Sequence, residues 1–285
     1  MPREPLEDVL ANVVKGVGGV ILDTNVAVDA FLGIAAVNFS VPRSANVSKA
    51  EAIADMLLEF KRALADVYIV HVHDGLIAEY RRHFEKVLKK LGVLERLSGI
   101  PHCGFTRQLA TAVCGNKGMC RFLSNQLSEL APKLKCVNYY ELREKDGIKE
   151  LNKVYDQVTK LKYYRSINRE LPNKDFESFH ERVTEIIETG QDIPDKFVDV
   201  LNVFLGYEYR LLVITRDEGT FEACKRINEE LHLGNVACAF VKSIERRDWR
   251  YVVTVNITPS IRVGTVAVKS FKYLYLSRDN TVELE

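Results

Sequence analysis

The sequence predicts an α/β fold: a three-layer α/β/α sandwich around a central parallel sheet, with a helical insertion and a small C-terminal antiparallel β meander. Three observations predict it. Short, continuously apolar runs alternate with segments of helical spacing, the pattern of a parallel sheet covered on both faces. Residues 99–190 are instead mostly helix-patterned and richer in Lys, Arg and Tyr, with breaks at Pro101, Pro132 and Pro172. From Trp249 onward, Tyr251, Val253, Val255 and Ile257 alternate with other residues at strand period.

In chain order, residues 5–15 read as a short amphipathic helix, and the glycines at 16, 18 and 19 as a turn. They precede a strand, whereas a phosphate-binding loop would follow one. Val20-Ile21-Leu22 is the first buried strand, and the segment after it has helix spacing and a terminal Gly33. Ser48 with Glu51 forms a capping-box signature for a helix to about residue 64. Residues 67–72 form the second strand. Asp74 starts a long helix whose apolar face includes Leu76, Tyr80, Phe84 and Leu91. After the insertion, Asp195 to Gly206 is an apolar helix, Leu211 to Thr215 a third strand, and Val236 to Val241 a fourth. Strand patterns recur at 261–267 and 269–276. The resulting parts are a core in two pieces, 1–98 and 191–245, the insertion at 99–190 and the β extension at 246–285.

The chain has 285 residues, and its 40 Lys and Arg nearly balance 39 Asp and Glu. Net charge therefore exerts no general pull on nucleic acid, and such a partner must be held by a local patch or through metal ions. The charged N-terminus is unlike a signal peptide, and no apolar run approaches the roughly 20 residues that span a bilayer. A soluble, cytoplasmic protein with no membrane association is expected. The six cysteines are widely spread without a CxxC pair, so reduced thiols are favoured over disulfides. His102, Cys103, Cys114 and Cys120 share one short segment, but their spacing matches no tight zinc knuckle.

Carboxylates supply the functional signal. Asp23 and Asp217 each follow an apolar strand, and ligands of parallel sheets gather outside the carboxyl ends of strands. At about 100° per residue, Asp195, Asp199, Asn202 and Gly206 share one stripe of the helix before Asp217. That stripe is either part of a site or a solvated face. Glu79 sits beside His83 at i+4 and near Arg82, and by itself reads as a surface acid.

Together these motifs resemble the PIN-domain nucleases. VILDTNVAVDAFLG at 20–33, the Glu79 segment HVHDGLIAEYRR, and DVLNVFLGYEYRLLVITRD at 199–217 carry the resemblance, which covers roughly residues 18–95 and 190–242. It implies a metal-dependent endoribonuclease with Asp23, Glu79, Asp199 and Asp217 as the catalytic, metal-binding acids. Asn25 and Thr215 would support them, with Asp195 an alternative to Asp199. Packed carboxylates repel unless a cation neutralises them, and Mg²⁺ or Mn²⁺ prefers such oxygen donors.

The substrate the resemblance implies is RNA, cut by hydrolysis to leave a 5′-phosphate. Within the insertion, Lys160, Lys162, Tyr163 and Arg165 offer cations for phosphates and a ring for unpaired bases, or else pack and solvate locally. The insertion and the C-terminal strands also offer protein-partner surfaces, and an open meander edge would suit a homodimer. An inactive scaffold that binds RNA or protein is the alternative. An aspartyl-nucleophile phosphotransferase is disfavoured, because Asp23 is followed by Thr24 and Asn25 with no second Asp two residues on.

Overall fold

The computed structural model describes residues 4–5, 9–10, 16–38, 45–73, 75–76, 79–80, 83, 134–136, 148–189, 191, 193–231, 236–247, 250–258 and 262–268. The expected elements at 84–98, most of the insertion before residue 148, Trp249 and the strand at 269–276 lie outside those residues.

Its strands are β1 (Glu4–Pro5), β2 (Gly19–Leu22), β3 (Val70–Val72), β4 (Leu134–Cys136), β5 (Leu211–Thr215), β6 (Cys238–Arg247), β7 (Arg250–Thr258) and β8 (Arg262–Val268). Its α-helices are α1 (Thr24–Asn38), α2 (Ala45–Leu64), α3 (Ile148–Thr159), α4 (Phe176–Glu188), α5 (Asp195–Glu208) and α6 (Glu218–Leu231). The strands form one sheet in the order β1-β8-β7-β6-β5-β2-β3-β4.

Strands β4, β3, β2, β5 and β6 are mutually parallel. All residues of β2, β3 and β5 are buried, which explains why they read as mostly apolar runs, His71 in β3 and Thr215 at the end of β5 being the polar exceptions. From β2 the chain proceeds outward to β3 on one side, and from β5 to β6 on the other. The order therefore reverses between β2 and β5. Right-handed crossovers running in opposite directions put helices on opposite faces, as in an α/β sandwich.

Four sequence expectations need correction. First, the sheet is mixed. The C-terminal strands continue the main sheet: β6 runs ten residues, shifts register between Val241 and Ser243, and turns into antiparallel β7 and β8. Second, Glu4–Pro5 form β1, which covers the far edge of β8 over Gly264 and Thr265, so the helix expected over 5–15 does not begin at Pro5, although Val9 and Leu10 are helical. Third, α2 starts at Ala45, so Ser48 and Glu51 lie inside it. Fourth, Gly33 does not end its helix. A Cβ at Gly33 would stand 2.5 Å from the carbonyl oxygen of Ala50. The residue permits close approach of α1 to α2, and the helix continues to Asn38.

Segment 148–189, the described end of the expected insertion, shares the core of the sheet. Leu151, Val154, Tyr155, Phe176 and Phe179 belong to the same apolar cluster as Ile21 and Val213. The Phe176 ring lies 4.8 Å from that of Phe204 in α5, and Phe179 stacks on Phe197 at 5.2 Å. Strand β4, also within the expected insertion, pairs with β3. Helix α5 is accordingly buried on nearly every side, including Asn202 and Gly206. Its polar stripe is thus exposed only at Asp195, with Asn202 and Gly206 fully covered.

Candidate active site

Asp23 is the first residue beyond β2, and its backbone N–H donates to the carbonyl of Ile214 in β5 at 2.9 Å. This bond fixes its height on the sheet edge. Its side chain is 2% exposed. Oδ2 accepts from Thr215 Oγ1 at 2.5 Å and from Asn25 Nδ2 at 2.7 Å. Oδ1 accepts from the Thr24 N–H at 2.8 Å and, more weakly, from Asn202 Nδ2 at 3.5 Å. Burial pushes the carboxyl up to about 6 against these hydrogen bonds, with the Asp217 charge adding to the rise.

Two threonines tie the other acids to Asp23. Thr215 Oγ1, while donating to Asp23, accepts the Asp217 N–H at 2.8 Å. Thr24 Oγ1 donates to Glu79 Oε2 at 2.7 Å. Asp217 Oδ1 accepts from the Thr220 N–H at 2.8 Å at the start of α6. Asn25 Oδ1 accepts the Arg216 N–H at 2.9 Å, joining the loops after β2 and β5.

Asp199 projects from α5 into this field. Burial first, then the charges of Asp23, Asp217, Glu79 and Asp195, hold its carboxyl up at about 9. Asp23, Glu79, Asp217 and Asp195 are therefore close enough to disfavour the charge of Asp199. Asp23 and Asp217 lie at the carboxyl ends of β2 and β5, where the strand order reverses and ligands of such sheets collect, and helical residues bring Glu79, Asp199 and Asp195 to them. The set is all oxygen, apart from the imidazole of His83 beside Glu79. It suits a hard divalent cation, which would relieve the repulsion that raises Asp199.

The sequence reading missed a second tier. His73, just past β3, is 2% exposed, and burial pushes its imidazole down to about 4. Its Nδ1 accepts the Leu76 N–H at 3.3 Å, which places the ring proton on Nε2, 2.9 Å from Asn202 Oδ1. A neutral imidazole thus orients the Asn202 amide, whose other end faces Asp23. Asn202 was visible on the acidic stripe; His73 carried no signal beyond its place at a strand end. Asp29 forms an ion pair with Arg216.

The segment from Lys160 to Arg165, the predicted substrate-binding stretch, packs beside the acids. Tyr164 is buried, and its hydroxyl lies 3.2 Å from Thr220 Oγ1 and 3.4 Å from Asp217 Oδ1. Tyr163 OH donates to Glu218 Oε2 at 3.1 Å, and its ring closes so tightly on Gly219 that a Cβ there would stand 2.9 Å from it. Lys162 lies over the Tyr163 ring at 4.8 Å. Lys160 pairs with Asp156 at 2.5 Å, and Arg165 Nε donates to the Lys160 carbonyl. Both tyrosines are thus engaged with protein, while the exposed cations of this turn stand next to the Asp217 end of the cluster.

His102, Cys103, Cys114 and Cys120 lie outside the described residues; Cys224 and Cys238 are free, buried thiols. Among the described residues no helix is long and apolar enough to cross a membrane. Compared with protein-family models, curated proteins and solved structures, the chain matches none.

Proposed function

We propose that the chain is a PIN-like, metal-dependent endoribonuclease that hydrolyses RNA phosphodiester bonds at this acidic edge. The supporting observation is the convergence of Asp23, Glu79, Asp199 and Asp217 at the carboxyl ends of β2 and β5, with buried threonines linking Asp23 to Glu79 and Asp217. Bound Mg²⁺ or Mn²⁺ would supply an activated water and offset the charge of the phosphodiester. The chain's own residues then have distinct tasks. Thr24, Asn25 and Thr215 hold the carboxylate oxygens in fixed directions. Lys160, Lys162 and Arg165 bind backbone phosphates as they approach. Tyr164 secures the basic turn to Thr220 at the Asp217 side of the edge.

The test is cleavage of end-labelled RNA with and without Mn²⁺. Cutting that needs the ion, and that falls at least about a hundredfold in Asp23→Asn while RNA binding persists, is the expected result. Unchanged cutting by Asp23→Asn would remove that residue from the reaction. RNA binding by the wild type with no cutting at any ion concentration would instead make the chain an inactive scaffold.

A further inference from the structure

His83 distinguishes one end of the acidic edge from the other. Its Nε2 stands 4.0 Å from Glu79 Oε1. One donor atom each from Glu79, His83 and Asp195 lie within 4.8 Å of one another. Two ligands bound at about 2.0–2.2 Å from one ion stand between roughly 3 and 4.4 Å apart. The Glu79–His83 separation is long for a hydrogen bond and right for two ligands of a shared cation. Asp195 is exposed at the start of α5.

The three groups are independently supported. Glu79 and His83 are one helical turn apart, so their side chains leave the same face. The Thr24 hydroxyl holds Glu79 Oε2 at 2.7 Å, so the other oxygen is the one turned toward His83. Asp195 arrives from a different helix, and its charge is felt at Asp199 together with that of Glu79. Glu79 is thus the hinge between an oxygen-only group, Asp23, Asp199 and Asp217, and a mixed group containing a nitrogen.

We propose that Glu79, His83 and Asp195 form a mixed carboxylate–imidazole position for a divalent transition ion, so that this end of the edge prefers Mn²⁺ to Mg²⁺. Imidazole is a good ligand for transition ions and a poor one for Mg²⁺, which demands hard oxygen donors and retains its waters. The proposal deepens the nuclease reading by assigning an ion that reading needs, and its test does not depend on cleavage.

The experiment is Mn²⁺ titration of the full chain, followed by electron spin-echo spectroscopy of the bound ion. A directly bound imidazole nitrogen modulates the echo; oxygen ligands do not. Wild-type protein should show the nitrogen signal. His83→Gln should lose it and weaken Mn²⁺ binding at least about tenfold, while Mg²⁺ binding changes much less. Asp195→Asn should weaken Mn²⁺ binding and keep the nitrogen signal at saturation. His73 is intact in both variants, so a signal surviving in His83→Gln would overturn the assignment. So would wild-type Mn²⁺ binding without nitrogen coupling, or equal loss of both ions in His83→Gln. RNA cleavage without nitrogen coupling would sink this inference and leave the nuclease reading standing. Nitrogen coupling in a protein that never cuts RNA would do the reverse.

Discussion

The Thr215 hydroxyl donates to Asp23 Oδ2 at 2.5 Å while accepting the Asp217 N–H at 2.8 Å. One fully buried side chain therefore sets the direction of one acid and the backbone position of another, across the reversal between β2 and β5. Thr215→Val keeps the shape and removes both bonds, leaving a half-buried N–H and a buried carboxylate short of partners. We expect a loss of about 1–3 kcal/mol in urea unfolding. Metal-dependent cleavage should fall more than in a surface control of equal stability, and Thr215→Ser should restore most of both.

Charge repulsion among the acids makes the metal-free protein sensitive to pH. Asp199 lies at about 9 and Asp23 at about 6, both above the ordinary 3.8. Between 3.8 and those values the folded state binds more protons than the unfolded state, so stability falls as pH rises through the window. With a chelator present, Tm should therefore be lower at pH 8 than at pH 6, by roughly 2–4 °C per kcal/mol lost. Saturating Mn²⁺ should reduce the difference. Asp199→Asn should raise the metal-free Tm at pH 8 while abolishing cleavage. A metal-free Tm that rises from pH 6 to pH 8 would contradict the clustering.

Asn202 is wholly buried between His73 and Asp23. Asn202→Leu preserves bulk and leaves the His73 Nε2–H without its acceptor, at a cost of about 1–3 kcal/mol. In the wild type, His73 should stay neutral above pH 5 in a nuclear magnetic resonance titration, because its folded value of about 4 lies below the ordinary 6.5. Acidification from 6.5 toward 4 is then destabilising through this residue, opposite in sign to the carboxylates. If catalysis needs Asp23 oriented, kcat should drop in Asn202→Leu more than KM rises.

Gly33 tests the packing that carries the site's first helix. Gly33→Ala would press a methyl group to within 2.5 Å of the Ala50 carbonyl oxygen and 2.6 Å of its carbon. Separating α1 from α2 should cost about 1–3 kcal/mol in denaturant unfolding. Gly16→Ala, which meets nothing within 4 Å, is the matched control and should change stability by under about 0.5 kcal/mol.

Asp23, Asp217 and the strands that precede them were legible because both signals are local. A fully buried strand is a short apolar run, and an acid at its end is adjacent in the chain. The position of Asp199 followed from helical angle alone. Whether its stripe faced solvent did not, since that depends on Asp23 and His73, at the ends of β2 and β3, meeting Asn202. Gly33 likewise looked like a helix end, because a close interhelical approach and a terminal glycine are identical in one dimension.

The sequence by itself determined the alternation of buried strands with helices and the residues available at the strand ends. Local periodicity and local chemistry suffice for that. Only the tertiary structure decided that β5 lies beside β2, which brings together acids separated by 194 positions from Asp23 to Asp217. The same pairing raised Asp199, enlisted His73 and Asn202, and turned a helix-surface His83 toward Glu79 and Asp195. Contacts of that range depend on how layers stack, and no window of the chain contains both partners.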